Sequence, residues 1–489
     1  MPGSPERALD RFAHRAPGAR ITAKKNENET MILDISVVIV YAAGMLLLGW
    51  YGMRRARNQE DYLVAGRNLG PAFYMGTMAS TVLGGAATVG TVRLGYVHGI
   101  SGFWLCAALG AGIIVLNLFL AKPLLKLRIF TVTQILERRY TPMARQASAV
   151  VMFAYALMIA VVSTLASGTV LQVLFDLPFW VAILLSGGVV VIYSSIGGMW
   201  SLTLTDIVQF VIKTVGLMFV LLPICLYRVG GWDALVAKLP DTAFSLTTIG
   251  YDTILTYFLI YFFGILIGQD IWQRVFTARS EGVARVAGSL AGVYCVIYGL
   301  VGALIGMCAK VLLPDLANAN NAFASIVQSA LPDGIRGLVI AAALAAMMST
   351  ASAGLLAAST TVTEDLLPKL RGGRPSSLGM ARTFTFLTGL VVLVIALIVS
   401  DVIGALTLAY NLLVGGILIP MLGAIYWKRA TTTGAIASMA LGCGTALLFM
   451  FRDGLEANTP IYYSLSIGLL AFVVGSLLTR PQTRATRIA

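Results

Sequence analysis

From residue 32 to residue 479 the chain is a nearly unbroken succession of apolar runs, each about the 20 residues a helix needs to cross a bilayer's hydrocarbon core. Thirteen such runs fall at roughly 32–51, 71–97, 102–120, 146–173, 178–197, 202–227, 252–273, 286–312, 337–361, 379–400, 402–427, 433–451 and 461–479. Only 12% of the chain is Asp, Glu, Lys or Arg and 58% is hydrophobic, where a soluble domain carries about 25% charged residues. This excludes a soluble enzyme, a disordered chain and an array of charged helices. The expected fold class is an all-α polytopic membrane protein with thirteen transmembrane helices.

The net charge of +13 does not point to nucleic acid, because most of the 35 Lys and Arg sit in short loops between apolar runs. One alternating set of loops holds Arg54, Arg55, Arg57, Arg67, Lys122, Lys126, Arg128, Arg138, Arg139, Arg145, Arg274, Arg279, Arg285, Lys369, Arg371, Arg374, Arg382, Lys428, Arg429, Arg480, Arg484 and Arg487. The other holds only Arg228, Lys238, Lys310, Arg336 and Arg452. Positive loops stay inside, so the expected location is the plasma membrane, with the C-terminus cytoplasmic and the N-terminus outside. Residues 1–30 read as a disordered tail without a signal-peptide core. Its six basic residues oppose that orientation, which makes Met31 a candidate alternative start.

Other chemistries find no support. There is no GxxxxGK[ST] motif, hence no expected ATP use. His14 and His98 cannot build a multi-His metal site or a hydrolase triad. Cys106, Cys225, Cys295, Cys308 and Cys443 lie in or beside apolar runs without CxxC spacing and read as reduced thiols. No enzyme activity, organic cofactor or nucleic-acid partner is expected.

Two spans carry internal interruptions: Gly84-Gly85 in the second, and Gly264 with Gly268 in the seventh. They are five spans apart. Paired broken helices in corresponding halves are the sequence sign of a transporter built from inverted repeats, whose unwound backbone frees carbonyls for ions and solute. Charged side chains near such spans are functional by default. Asp206 follows Thr205, and Lys213 lies seven residues on, on nearly the same face and about 10 Å along the axis. Lys213 reads as inward-facing, able to neutralise Asp206 through a water, hold a solute carboxylate or carry a proton. Arg93 is a third unusual cation. Ser349, Thr350 and Ser352 offer hydroxyls among small residues, whose usual role is close helix packing; they are also hard oxygen ligands that suit sodium, and spacing alone leaves packing ahead. Glu364 and Asp365 read as a solvated cluster paired with Lys369 and Arg371. Tyr257, Tyr261, Phe262 and Phe263 crowd the seventh span.

Four stretches resemble the sodium:solute symporter family over residues 32–480: Asp61–Arg67 ahead of the broken span, Ala79-Ser80-Thr81-Val82 with Gly84-Gly85, Tyr193–Ser201 running to Thr205-Asp206 and Gln209, and Ala346-Met347-Met348-Ser349-Thr350 ending at Thr363-Glu364-Asp365. The resemblance implies a LeuT-like core of two inverted five-helix repeats at 71–427. Residues 31–70 would form a first helix and loop, and 428–489 two peripheral helices and a tail. It implies a sodium site made by the carbonyls of Ala79, Val82 and Ala346 and the hydroxyls of Ser349 and Thr350. A second ion or coupling role would fall to Asp206, Ser352 and Lys213, although Ala353 stands where the family's second site has a hydroxyl. The solute would sit beside Thr81, Leu83, Gly85, Phe262, Gln269 and Asn411, with Arg93 as a carboxylate partner. The loops look most like the choline-type branch, yet Arg93 stands where that branch carries an acid.

The expected function is therefore a secondary active symporter, coupling sodium influx to uptake of a small organic solute with a carboxylate, a monocarboxylate or amino acid. The alternatives are a proton-coupled transporter using Lys213, a sodium-coupled carrier of an organic cation such as choline or a polyamine, and a transport-like sensor. The expected partners are the solute and the bilayer, with a monomer as one expected state.

Overall fold

The computed structural model describes residues 17–480 apart from 333, 371, 373–375 and 400. Among them the structure is helical, and the β pairing is a single isolated bridge between Leu69 and Ala278. The first helix runs Pro17–Arg55, back into the stretch expected as a tail. Residues 1–16 of that tail, and those after 480, lie outside the described residues.

Among the described residues ten helices are long and apolar enough to cross a membrane, and eleven when the bent pair Tyr251–Ile267 with Gln269–Val275 counts as one span. The expected thirteen differs at two long runs that change direction on glycine. Ala86–Leu127 turns at Gly99 (φ 66°, ψ −146°), and Phe179–Val229 turns at Gly198 (φ 55°, ψ −139°).

The turn at Gly198 shows how sequence sets geometry. A left-handed φ is available to glycine without a Cβ penalty. The break releases carbonyls that the helix would otherwise use, and the Tyr62 hydroxyl lies within bonding distance of Ser194 O (3.3 Å) and Ser195 O (3.1 Å), and of Thr385 Oγ1 at 3.0 Å. A Cβ at Gly198 would run into the Tyr62 backbone carbonyl. Gly198→Ala is therefore expected to cost about 1–3 kcal/mol, read as a lower melting temperature of the purified protein. An unchanged melting temperature would mean that the turn is not strained.

The helix Ile335–Thr361 forms the centre of the bundle, with nearly all of its side chains buried. Small residues let neighbouring backbones approach closely: a Cβ on Gly354 would lie 2.7 Å from Ala160 N and 2.8 Å from Ala156 O of the helix Pro142–Phe175. The outer helices instead expose Ile39, Val40, Leu47, Val394, Leu470 and Leu478. On a multi-pass membrane protein these are the lipid-facing side chains.

Two helices break inside the bundle. Pro71–Val82 stops at Leu83 (φ −91°, ψ 64°) and resumes after Gly85 as a widened turn, Ala86–Gly90. Phe263–Ile267 stops at Gly268 (φ −69°, ψ 131°), and Gln269–Val275 leaves at 47°. These are the breaks expected at Gly84-Gly85 and Gly268, whereas Gly264, also expected to interrupt its span, lies within the helix Phe263–Ile267.

Candidate ion and solute site

The last four carbonyls of a helix have no partner within it, so the end of Pro71–Val82 at Leu83 leaves the oxygens of residues 79–82 for other donors. The central helix supplies two. Ser349 Oγ lies 2.9 Å from Ser80 O and 2.9 Å from Ala346 O. Thr350 Oγ1 donates to Thr81 O at 2.6 Å and lies 3.4 Å from Ser80 O. The approach requires Gly84, since a Cβ there would lie 2.5 Å from Thr350 Cβ and 2.8 Å from its Cγ2. The structure thus brings Ala79, Ala346, Ser349 and Thr350 to one break, at whose last helical residue Val82 stands.

Lys213 reaches the same place. Its buried Nζ lies 3.5 Å from Ala79 O and 3.4 Å from Ser80 O, near the limit of a hydrogen bond. The Tyr298 ring centroid is 5.9 Å away.

Asp206 is fully buried next to this point. Thr77 Oγ1 donates to its Oδ2 at 2.5 Å, and Ser80 Oγ donates to its backbone carbonyl at 3.0 Å. Its ion-pair partner is Arg274, with Nη2 at 3.4 Å; neutralising Asp206 through a water is one of the three roles the sequence leaves open for Lys213. Arg274, read from sequence as a loop cation, is wholly buried. The break at Gly268 accounts for this, because it swings the polar segment Gln269–Val275 into the bundle instead of out to solvent. Ser352 Oγ donates to Ser349 O at 2.9 Å and shares no hydrogen bond with Asp206.

A small cavity of about 20 Å³ lies against the first break, room for roughly one water. Thr81, Gly85, Ser163, Asp270, Thr350 and Tyr410 are among its lining residues, as is Val82. Leu83, Arg93, Phe262, Gln269 and Asn411 are not. Arg93 pairs with Glu456 at 3.0 Å. Gln269 uses both ends of its amide on the 130–132 loop, accepting from Val132 N and donating to Phe130 O, each at 2.9 Å. Asn411 Nδ2 donates to Thr407 O at 2.9 Å. Phe262 packs edge-on to Phe263, and Leu83 is buried.

Sequence reasoning missed Asp270 and Arg274. The available signal was four polar residues, Gln269, Asp270, Gln273 and Arg274, directly after a helix-breaking glycine. The Glu364–Asp365 cluster also differs from its reading. Asp365 is buried and pairs with Arg145 at 2.9 Å, with Thr131 donating at 2.8 Å. Lys369 instead donates to Gln146, and Arg371 lies outside the described residues.

The sodium:solute symporter family model matches residues 62–442. An osmoregulated proline transporter of Bacillus subtilis (strain 168) is 26% identical, with 93% of this chain and 97% of the relative covered. A sodium/proline symporter of Staphylococcus aureus (strain JH9) is 25% identical, with 92% of each covered. Among solved structures, a sodium-coupled sialic acid symporter in a substrate-bound outward-open state superimposes with a TM-score of 0.81, at 20% identity and over 94% of this chain and 99% of that one. A nucleobase-cation-symport-1 family transporter in a closed conformation gives 0.56 at 13% identity, over 87% and 97%. These two likenesses concern the fold.

Proposed function

The chain belongs to the sodium:solute symporter family, and we propose that it couples sodium entry to uptake of a small organic solute by alternating access. The observation that carries this reading is the meeting of the Ser349 and Thr350 hydroxyls with the freed carbonyls at the end of Pro71–Val82. Hard oxygen donors at a broken helix suit a small alkali cation. In this reading Ala79, Val82, Ala346, Ser349 and Thr350 hold the sodium, and Asp206 supplies negative charge beside it. One charge crossing ~100 mV contributes ~2.3 kcal/mol, enough for a roughly 50-fold solute gradient.

For the solute we propose an amino acid. Both relatives compared above are named for proline, which makes L-proline the first compound to test. An amino acid has the carboxylate expected from sequence, although Arg93 and Lys213, the residues behind that expectation, do not line the cavity. The test is uptake of labelled L-proline by proteoliposomes under an inward sodium gradient. Accumulation that collapses when sodium is replaced by potassium supports the reading, and equal uptake under both salts sinks it.

A second reading has its own observation. Lys213 Nζ already faces the Ala79 and Ser80 carbonyls, so its ammonium can stand in for the ion and the coupling ion can be a proton. Lys213→Met separates the two. If sodium is the driver, removing a competing cation is expected to tighten sodium binding, by about tenfold for ~1.4 kcal/mol of repulsion, in a sodium-dependent thermal-shift titration. Uptake driven by a pH gradient without sodium, and lost in the same variant, selects the proton.

A further inference from the structure

We propose that Asp270 is the recognition carboxylate of the solute cavity, and that the solute therefore carries a cationic nitrogen: an ammonium, an iminium or a quaternary amine. The inference rests on the symport reading above and places the solute at this cavity, which at about 20 Å³ has to widen to admit it.

Asp270 is 3% exposed and is the one charged residue among those lining the cavity. A buried carboxylate is costly unless it is paired. Among the described residues no Lys, Arg or His nitrogen lies within ion-pairing distance of it. The nearest candidate in sequence, Arg274, sits one helical turn on and directs its Nη2 to Asp206. Asp270 accepts from the backbone N–H groups of Asp270 and Ile271 at the start of its helix and feels the Arg274 charge at longer range, and among the described residues its side-chain hydrogen bond is from the Tyr155 hydroxyl to its Oδ1 at 3.0 Å. That bond fixes the direction of the carboxylate without cancelling its charge.

The surroundings suit a cation. Tyr410 lines the same cavity, and its ring meets Tyr155 at 5.3 Å and Tyr261 at 5.1 Å, both edge-to-face. Tyr257 continues the row at 5.3 Å from Tyr261. Of this row Tyr410 lines the cavity, and its ring can attract a desolvated cation there by about 2 kcal/mol. Thr81 Oγ1, buried in the same lining, has no hydrogen-bond partner and can bond a polar group of the bound solute. A solute whose sole charge is a carboxylate would meet repulsion from Asp270 instead. A zwitterion such as an amino acid satisfies the site by presenting its nitrogen here.

The experiment compares ligands that differ in charge at one atom. L-proline is paired with tetrahydrofuroate, in which oxygen replaces the ring nitrogen, and choline with its neutral carbon isostere neohexanol. Binding is read by thermal shift of the purified full chain in sodium, within a wider panel of amines, sugars and simple carboxylates. A nitrogen cation is expected to stabilise the protein, with its isostere at least about tenfold weaker. Asp270→Asn is expected to weaken that ligand by at least about tenfold while the shift produced by sodium alone persists, which shows that the variant is folded. Tyr155→Phe, which removes only the orienting hydroxyl, is expected to weaken it by about fivefold. The proposal is overturned if no nitrogen cation in the panel stabilises the protein, if the isosteres bind equally well, or if Asp270→Asn binds like the parent. A protein that selects amines through Asp270 but ignores sodium would sink the coupling reading and leave this one standing.

Discussion

Replacing Ser349 and Thr350 together by alanine is expected to abolish the sodium response of the protein: no sodium-dependent thermal shift, and no difference between sodium-driven and potassium-driven uptake. The two hydroxyls are the side-chain part of the proposed five-oxygen site. Removing them leaves the carbonyls of Ala79, Val82 and Ala346, too few to replace the ion's hydration shell. A bond between a neutral group and a charge contributes about 1.5–3 kcal/mol. Losing two of them should weaken sodium at least about a hundredfold. Both hydroxyls also tie the helix break to the central helix, so stability has to be read separately. Ser352→Ala is the control for this site, since its Oγ hydrogen-bonds to Ser349 O within its own helix and to neither Ser80 nor Thr81. That variant should keep the sodium response. A double variant that still responds to sodium like the parent would remove the ion from this site.

How much of this was legible in the sequence follows from the range of the interactions. The breaks were, because Gly84-Gly85 and Gly268 act on their own backbone. The ion-site residues were reached through motif resemblance, and the structure brings Ser349 and Thr350 to the residue 80–81 carbonyls. The partner of Asp206 was not legible. Arg274 reaches it from 68 residues away in sequence, and it counted as a loop cation because nothing local says that a bent half-helix turns inward. Asp270 was hidden by the same bend. Arg93 misled in the opposite direction: a lone cation in an apolar run suggests a solute partner, but Glu456, 363 residues on, neutralises it. Apolar periodicity reports which segments are buried. It does not report which buried charges meet.

The Asp206–Arg274 pair gives the largest expected effect on stability, and the sign of the double variant carries the argument. Both side chains are wholly inaccessible to solvent. Removing one partner leaves the other as an uncompensated buried charge, so Arg274→Leu and Asp206→Leu are each expected to destabilise the protein by about 3–5 kcal/mol. The pair is also poorly satisfied as it stands. Asp206 Oδ1 and Arg274 Nε and Nη1 have no hydrogen-bond partners, and the single contact is 3.4 Å. Replacing a pair of this kind by apolar side chains is commonly neutral or stabilising, so Arg274→Leu with Asp206→Leu is expected to recover most of the melting temperature that either single change loses. Transport should not recover with it. Asp206 holds Thr77 and Ser80 beside the freed carbonyls, and its charge favours a cation there. A double variant that is stable but no longer takes up solute would show that the buried charges are kept for the ion and not for the fold. Full activity in that variant would remove Asp206 from the mechanism, and a single Arg274→Leu variant as stable as the parent would show that no charge pair is buried here at all.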